Sequence, residues 1–289
     1  MKRLTELILI VLLSVNALSA KPTGKKSNFR IATYNIRLET PVDSGARAWE
    51  KRKLDVKKII KSYKFDIFGV QEVGSSKQET EMKKLIPEFT YIGRGRDSED
   101  GTKGEQIGIF LRTKRFSVCD KGSFFLSETP NIMSKGWDAD FRRMCVWTKL
   151  KDLANNCEFY VFCTHFDHIG KRARIESAKL IVDRMQSFTN NYPVILVGDL
   201  NSAPQDTAMY NALTNYLIDT AVSAKVKSIP TDGTFNGYDM NTINFPASQK
   251  IDYILYRKMN ALNYRVLNKR YNDLSYPSDH FPVMCDMSF

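Results

Sequence analysis

VILVGDLNSAP, residues 194–204, places a carboxylate and an amide just after four uninterrupted apolar residues. An apolar run of this kind is typical of a strand that is buried on both faces. Asp199 and Asn201 stand two positions apart, so in an extended chain their side chains project to the same side. Taken alone, the segment has two interpretations. It is a turn, because Asp, Asn and the nearby Pro204 are turn formers, or it belongs to a site at the end of a buried strand.

Polar side chains follow three other apolar runs in the same way. The runs are followed by Asn35 (in IATYNIR), by Glu72 (in DIFGVQEV), and by His165 and Asp167 (in FYVFCTHFDH). Side chains of these types bind metal ions, orient water or carry protons. The repeated pattern indicates that polar groups are gathered at the ends of buried strands.

Two further polar clusters stand at the beginnings of strands. Asp252 opens DYILY, and Asp279 with His280 precedes the apolar run in SDHFPVMCDM. If these strands run antiparallel to their neighbours, their beginnings lie at the same sheet edge as the neighbours' ends, where open α/β sheets place their sites. All three histidines of the chain fall in these segments, and such clustering favours a functional site over a turn. The predicted edge gathers Asn35, Glu72, His165, Asp199, Asn201, Asp252, Asp279 and His280.

Hydrophobic periodicity predicts ten strands and four helices in one domain of residues 28–289. The predicted strands cover residues 29–36, 67–70, 107–112, 116–125, 144–150, 159–164, 194–197, 251–256, 262–267 and 283–287. The predicted helices cover residues 48–63, 76–86, 170–189 and 206–213. Because several strands follow one another without a helix, the order favours mixed sheets over pure βαβ alternation. We expect two packed sheets with helices on the outside.

The first twenty residues, MKRLTELILIVLLSVNALSA, predict a secretory signal peptide. Two basic residues precede an apolar stretch, and small residues stand near position 20, where we expect cleavage. The alternative is a short uncleaved anchor, but the apolar stretch is short for crossing a bilayer. The mature chain is therefore expected to be exported, to a periplasm or out of the cell, without a membrane span once the signal is removed.

The charge balance favours a polyanionic partner. The chain carries a formal net charge of +11, which suits nucleic acid, a phospholipid surface or a phosphorylated small molecule. Five cysteines occur without a CxxC pair, which argues against a thiolate zinc site. The sequence contains no GxSxG, HExxH or P-loop motif, which argues against a serine hydrolase, a zinc protease and a P-loop enzyme.

Six segments, taken in order, resemble the endonuclease/exonuclease/phosphatase superfamily, which has the deoxyribonuclease-I-like fold. They are TYNIR, VQEV, THFDH, GDLNSAP, IDYIL and SDHFPV, and they span residues 33–283. The resemblance implies a four-layer α/β sandwich, with two central mixed β-sheets flanked by helices. It also implies hydrolysis of phosphate esters with a divalent metal ion.

The resemblance assigns the metal site to Glu72 as principal ligand, with Asn35 beside it and Asp279 closing the site. Carboxylate and amide oxygens suit Mg²⁺, with Mn²⁺ as the other option. Such an ion polarises a phosphoryl oxygen and offsets the charge that develops in the transition state.

The same resemblance assigns the proton chemistry. His280 corresponds to the general base that takes a proton from the attacking water, and Asp252 corresponds to the acid that orients it. Asp199 and Asn201 correspond to the pair that positions nucleophile and phosphate, and Asp199 is the alternative base. His165 corresponds to the histidine that steadies the phosphate or protonates the leaving oxygen.

Other positions complete the predicted site. Glu105 stands before a strand where the deoxyribonuclease branch has the acid paired with His165, and the alternative is an exposed loop carboxylate. Arg143 opens a strand and is predicted to contact a phosphate, unless it is a solvated strand start. Asp167 shares its strand side with His165 and is predicted to line the site, whereas His168 is expected to point elsewhere.

Two loops bear on the substrate. Trp137 lies in a long loop and is predicted to shape a pocket. The loop at residues 93–106 mixes three basic with four acidic side chains, a poor electrostatic match for a phosphate backbone. Phosphodiester hydrolysis in nucleic acid is the leading prediction, and the alternative substrate is a small phosphorylated compound such as a sugar phosphate, an inositol phosphate or a phospholipid headgroup. A non-catalytic polyanion-binding module is disfavoured, because every matched position carries a chemically competent residue.

Overall fold

The structure, a computed structural model, describes residues 27–289 apart from 75, 190 and 272–274. The predicted signal peptide at residues 1–20 lies outside the described residues. None of the helices in the described part combines the length and the apolar composition that crossing a membrane requires.

Thirteen strands and five α-helices are present in the described part of the chain. The strands are β1 (Phe29–Asn35), β2 (Ile67–Val73), β3 (Phe89–Gly95), β4 (Gln106–Arg112), β5 (Phe116–Phe125), β6 (Met144–Asp152), β7 (Glu158–His165), β8 (Val194–Asp199), β9 (Ile218–Asp219), β10 (Val226–Ser228), β11 (Asp252–Arg257), β12 (Asn260–Val266) and β13 (Val283–Ser288). The helices are α1 (Trp49–Ser62), α2 (Ser76–Leu85), α3 (Lys171–Phe188), α4 (Thr207–Thr214) and α5 (Thr220–Ser223).

The strands form two mixed sheets. The first sheet has the order β10-β12-β13-β1-β2-β4-β3, and the second has the order β5-β6-β7-β8-β11-β9. Each sheet contains a central parallel pair, β1 with β2 and β7 with β8, flanked by antiparallel partners. A parallel pair needs a crossover connection, which α1 and α3 supply.

Three apolar clusters define the layers. The innermost cluster lies between the sheets and joins Ile31 of the first sheet to Val161 and Val197 of the second. A second cluster packs α3 and α4 against the outer face of the second sheet, and a third packs α1 and α2 against the outer face of the first. The predicted four-layer α/β sandwich is therefore confirmed.

All ten predicted strands and all four predicted helices are present, with ends that differ by at most three residues. The unpredicted elements are β3, β9, β10 and α5. Strand β3 reads FTYIGRG, and its two glycines weaken the strand pattern. Strands β9 and β10 contain two and three residues, which is too short for a periodicity to register.

The sheet register brings the polar strand ends to one edge. Strand β11 runs antiparallel to β8 and pairs Asp252 with Asp199, and β7 runs parallel to β8 and pairs His165 with Asp199. Strand β13 runs antiparallel to β1, so His280, just before β13, reaches Asn35 at the end of β1. The antiparallel arrangement on which the predicted sheet edge depends is therefore present.

Candidate active site

Asn35 occupies the centre of a group of side chains at this edge. The group, here called the cleft floor, consists of Asn35, Glu72, Asp199, Asp252 and His280. Nδ2 of Asn35 donates to Oε1 of Glu72 at 2.9 Å and to Oδ2 of Asp199 at 3.0 Å, and it lies 3.4 Å from Nε2 of His280. Asn35 is fully buried, so these bonds fix its side chain and join the two sheets at one point.

Glu72 reaches the floor through an irregularity in β2. The register of β2 against β4 shifts between Val70 and Val73, and Glu72 has a positive φ of 57°. A positive φ is uncommon for a residue with a side chain, and strain of this type recurs at functional sites. Bulges re-aim side chains. Here Oε2 of Glu72 accepts a hydrogen bond from the backbone N–H of Leu38 at 3.2 Å.

Asp252 and His280 form a buried carboxylate–imidazole pair. Oδ2 of Asp252 lies 3.0 Å from Nδ1 of His280 and accepts from the hydroxyl of Thr234 at 2.6 Å. Burial raises the pKa of Asp252. Burial acts to lower the pKa of His280, but the carboxylates of Asp252 and Asp199 outweigh it and hold that pKa well above its usual value. The contact between Asp252 and Nδ1 holds the imidazole of His280 in one orientation.

Asp199 lies between two histidines of the cleft. Its Oδ2 is 3.6 Å from Nε2 of His165 and 3.7 Å from Nε2 of His280, and its Oδ1 accepts from the backbone N–H of Asn201 at 2.9 Å. Burial acts to raise the pKa of Asp199, but His280 and His165 outweigh it and lower that pKa. Asn201 has a positive φ of 47° and donates its side-chain N–H to the carbonyl of Phe166 at 3.0 Å. The stretch VILVGDLNSAP is thus a turn and part of the cleft at once.

A second group of side chains surrounds Glu105. This group, here called the cleft wall, consists of Arg96, Glu105, Phe141, Arg143 and His168. Oε1 of Glu105 lies 3.0 Å from Nδ1 of His165, 3.2 Å from Nη1 of Arg96 and 3.3 Å from Nη1 of Arg143. The predicted contact between Glu105 and His165 is therefore present. Burial acts to raise the pKa of Glu105, but His165 and the two arginines lower it to about 2.

The cleft between floor and wall has a volume of about 470 Å³. It is lined by eight residues predicted from the sequence: Glu72, Glu105, Arg143, His165, Asp199, Asn201, Asp279 and His280. Asn35 and Asp252 lie beneath it, fully buried, and bond to the lining residues. Sequence reasoning thus places ten of its twelve candidate residues at or directly under one cleft.

Seven further residues line the cleft without having been predicted: Arg37, Leu38, Arg96, Phe141, His168, Phe235 and Ile251. The spacing in the sequence could have indicated Arg37, because it stands two positions after Asn35 and side chains at that spacing in an extended chain project to the same side. His168 was expected to point elsewhere, but it lies on the wall with its ring stacked on Phe141. Arg96 and Phe141 lie at or beyond the ends of strands, and no periodicity encodes the path of such segments.

Two predicted substrate contacts lie elsewhere. Trp137 is not among the described residues that line the cleft, and its backbone N–H donates to the carboxylate of Glu128 at 3.1 Å. Phe141, from the same loop, lines the cleft in its place. Asp167 is buried behind the wall, where its carboxylate accepts from the backbone N–H groups of Phe141 at 3.1 Å and Ile169 at 3.0 Å. Asp167 therefore holds the wall together and does not line the cleft.

One group of floor residues fits a divalent metal ion. Ligand atoms of Glu72, Asp199 and His280 lie within 4.8 Å of one another. They surround the amide nitrogen of Asn35, a donor group with partial positive charge, so the same surroundings favour a cation. Carboxylate and imidazole groups are common ligands of divalent metal ions.

Asp279, predicted as a metal ligand, is not part of this group of three. Its Oδ2 lies 3.5 Å from Nη1 of Arg37, and its Oδ1 accepts from the hydroxyl of Ser278 at 3.3 Å. The ion pair with Arg37 draws the carboxylate to the side of the cleft. Asp279 still lines the cleft, within reach of a bound ligand.

Comparison with known proteins places this arrangement in a family. The sequence profile described as Endonuclease/Exonuclease/phosphatase family matches residues 32–280. The chain belongs to the endonuclease/exonuclease/phosphatase family. The matched region begins before Asn35 and ends at His280, so it includes every residue of the cleft floor.

Two solved structures of proteins from Bacteroides thetaiotaomicron are similar to this chain over nearly its whole length. One is an endonuclease/exonuclease/phosphatase family protein with 36% identity and a TM-score of 0.85, and the match covers 92% of this chain and 99% of that one. The other is a mannosyl-6-phosphatase with 37% identity and a TM-score of 0.84, and the match covers 90% of this chain and 100% of that one.

A more distant similarity extends to the human protein Nocturnin. Nocturnin is 23% identical over 276 residues, which cover 87% of this chain and 61% of Nocturnin. The catalytic domain of Nocturnin has a TM-score of 0.69 at 20% identity, which shows the shared fold. The matched regions cover between 41% and 65% of the length of the curated relatives.

Proposed function

We propose that this protein is a divalent-metal-dependent phosphoester hydrolase that removes phosphate from a small sugar phosphate. The observation that carries the proposal is a cleft of about 470 Å³ in which acidic floor residues and three arginines face one another. Small-molecule sites have volumes in this range. The similarity to a mannosyl-6-phosphatase at 37% identity supports the same substrate class.

Glu72 and Asp199, with Asn35 beside them, are the residues that would hold the metal ion. When bound, the ion supplies a Lewis acid that polarises the phosphoryl group. The remaining chemistry belongs to the side chains of this chain. Glu72 is held by the bulge of β2 and by Leu38, so its carboxylate is oriented before any ligand arrives.

Asp199 and His280 handle the proton of the attacking water. The two histidines lower the pKa of Asp199, and the carboxylates of Asp252 and Asp199 raise the pKa of His280. The Asp199 carboxylate and Nε2 of His280, 3.7 Å apart, orient the attacking water and a phosphoryl oxygen between them. Asp252 holds the ring of His280 by its Nδ1, which leaves Nε2 for the cleft.

His165 and the arginines contact the phosphate and the leaving oxygen. Glu105 fixes Nδ1 of His165, so Nε2 faces the cleft. Arg96 and Arg143 both line the cleft beside His165. Guanidinium groups in the lining of a cleft favour an anionic ligand, because each forms strong bonds to phosphate oxygens.

Phosphodiester cleavage in nucleic acid is the second candidate. The formal net charge of +11 favours it, since a polyanion is attracted by such a surface. From the sequence alone, this function was the leading prediction. The cleft volume and the similarity to a mannosyl-6-phosphatase support the sugar phosphate as the first candidate.

Export of the mature chain remains a prediction that rests on residues 1–20 alone. N-terminal sequencing of protein recovered outside the cytoplasm checks it, and we expect the first residue to lie near Lys21. An intact Met1 on all of the protein contradicts it.

The proposed function is tested with three substrates in parallel, each with Mg²⁺ or Mn²⁺. The substrates are a hexose 6-phosphate, bis-p-nitrophenyl phosphate and supercoiled plasmid. We expect turnover of the hexose phosphate that is abolished by a chelator and by His280→Ala. Nicking of the plasmid with no release of phosphate from the sugar ester would assign the protein to the second candidate.

A further inference from the structure

We propose that Phe141 and His168 form a subsite for the sugar ring of the substrate, next to the residues that bind its phosphate. This inference rests on the proposed function, because it concerns the group to which the phosphate is attached. It assigns a role in substrate specificity to two residues that carry none of the phosphate chemistry.

The two rings present aromatic surface to the cleft. Their centroids are 5.7 Å apart and their planes differ by 18°, so they are stacked. Phe141 is 44% exposed although burial stabilises a phenylalanine, and His168 is exposed as well. One exposed aromatic residue is ordinary. Two adjacent, exposed rings in the cleft that also contains His165 and Asp199 provide aromatic surface for a ligand.

One buried carboxylate holds both rings in place. Oδ2 of Asp167 accepts from the N–H of Phe141 at 3.1 Å, and its Oδ1 accepts from the N–H groups of Ile169 at 3.0 Å and Gly170 at 2.7 Å. These bonds tie the loop of Phe141 to the segment that carries His168. A surface that is ordered before the ligand arrives loses little conformational entropy on binding, so its contacts contribute fully to affinity.

Arg96 connects this surface to the phosphate end of the cleft. Its guanidinium lies 4.7 Å from the centre of the Phe141 ring and 3.2 Å from Glu105, which also contacts His165. A ligand with its phosphate at His165 therefore places its next atoms against Arg96 and Phe141. A sugar ring has an apolar C–H face and a hydroxyl edge, and these match an aromatic ring and a guanidinium group, respectively.

Calorimetry on a variant with greatly slowed turnover tests the subsite. Hexose 6-phosphate is titrated in the presence of Mg²⁺ into His280→Ala, and into the same protein with Phe141→Ala added. We expect Phe141→Ala to raise Kd about tenfold, which corresponds to about 1.4 kcal/mol. The Kd for inorganic phosphate should stay unchanged, and Phe141→Tyr should restore the affinity for the sugar ester.

Ile169→Ala is the matched control, because Ile169 is 64% exposed in the same segment but does not line the cleft. We expect no change of Kd from it. The subsite is ruled out if Phe141→Ala weakens inorganic phosphate as much as hexose 6-phosphate, or weakens neither. It is also ruled out if Phe141→Ala weakens only a nucleoside monophosphate, or if the sugar ester does not bind.

Turnover by the wild-type protein separates this inference from the proposed function. Phe141-dependent binding of hexose 6-phosphate without its hydrolysis supports the subsite and overturns the proposed function. Hydrolysis with the same kcat/KM in wild type and Phe141→Ala supports the proposed function and overturns the subsite.

Discussion

The floor and the wall of the cleft differ in how their residues are held. Most floor residues lie at the ends or beginnings of paired strands and are almost completely buried, such as Asp199 and Asp252. Residues such as Phe141 and His168 on the wall lie in loops, and the ring of Phe141 is 44% exposed. In the proposed function, the sheet edge supplies the groups that react, and the loops supply the groups that contact the rest of the substrate.

Substitutions of the floor residues that transfer or orient the proton should lower kcat more than any other substitution considered. His280→Ala should lower kcat for a sugar phosphate about 10³-fold, because the imidazole that assists the proton transfer is lost. Asp252→Asn should produce a similar loss, because Nδ1 of His280 loses its carboxylate partner. Steady-state kinetics measure both, with circular dichroism as the check of folding. A folded variant with more than a tenth of wild-type kcat would show that the floor does not carry the reaction.

Glu105 lies where floor and wall meet, and its neutralisation should produce an intermediate effect. Glu105→Gln removes the charge that separates Arg96 from Arg143 and orients His165, and we expect kcat/KM to fall roughly 30-fold. Glu99→Gln, an exposed carboxylate in the same loop, is the control and should change nothing. Equal kinetics for the two variants would mean that the wall is not coupled to His165.

The contribution of Asp167 to the wall can be tested by measuring the free energy of unfolding. Burial acts to raise its pKa, but bonds from the backbone N–H groups of Gly170 and Phe141 outweigh it and lower that pKa to about 2. A carboxyl group with a depressed native pKa stabilises the fold above its unfolded pKa of about 4, and this contribution is lost as the pH falls towards 2. Asp167→Asn should therefore lower the free energy of unfolding by about 2 kcal/mol at pH 7 and by about half as much at pH 3.

Urea denaturation at both pH values measures this difference. Asp183→Asn, which changes an exposed carboxylate, is the control, and its effect should be small and the same at both pH values. An effect of Asp167→Asn that does not depend on pH would mean that its charge does not hold the wall.

Trp137 should show the smallest effect, because the structure places it outside the lining of the cleft. Trp137→Phe should change kcat/KM for a sugar phosphate less than twofold. The measurement tests which side chains of this loop belong to the wall, since Phe141→Ala in the same loop is expected to weaken binding of the sugar phosphate. A tenfold rise in KM for Trp137→Phe would show that Trp137 contacts the substrate.

Most of the floor was predictable because strands are local and periodic. Each floor residue is next to an apolar run, and a pairing such as Asp252 with Asp199 follows once β8 and β11 are antiparallel. The direction in which a carboxylate side chain points was less predictable from the sequence. Asp279 stands beside His280, yet its pairing with Arg37 keeps it out of the group that fits a metal ion.

The sequence by itself determined the two sheets, their helices and the polar strand ends, because hydrophobic periodicity and turn chemistry act over a few residues. Only the tertiary structure decided that Arg96, Phe141 and His168 belong to the wall. Phe141 reaches the cleft because its backbone N–H bonds to Asp167, which is 26 residues away in the chain. Arg96 is positioned by Glu105 and Phe141. Contacts between residues so far apart form only when the sheets have packed, so no local pattern records them.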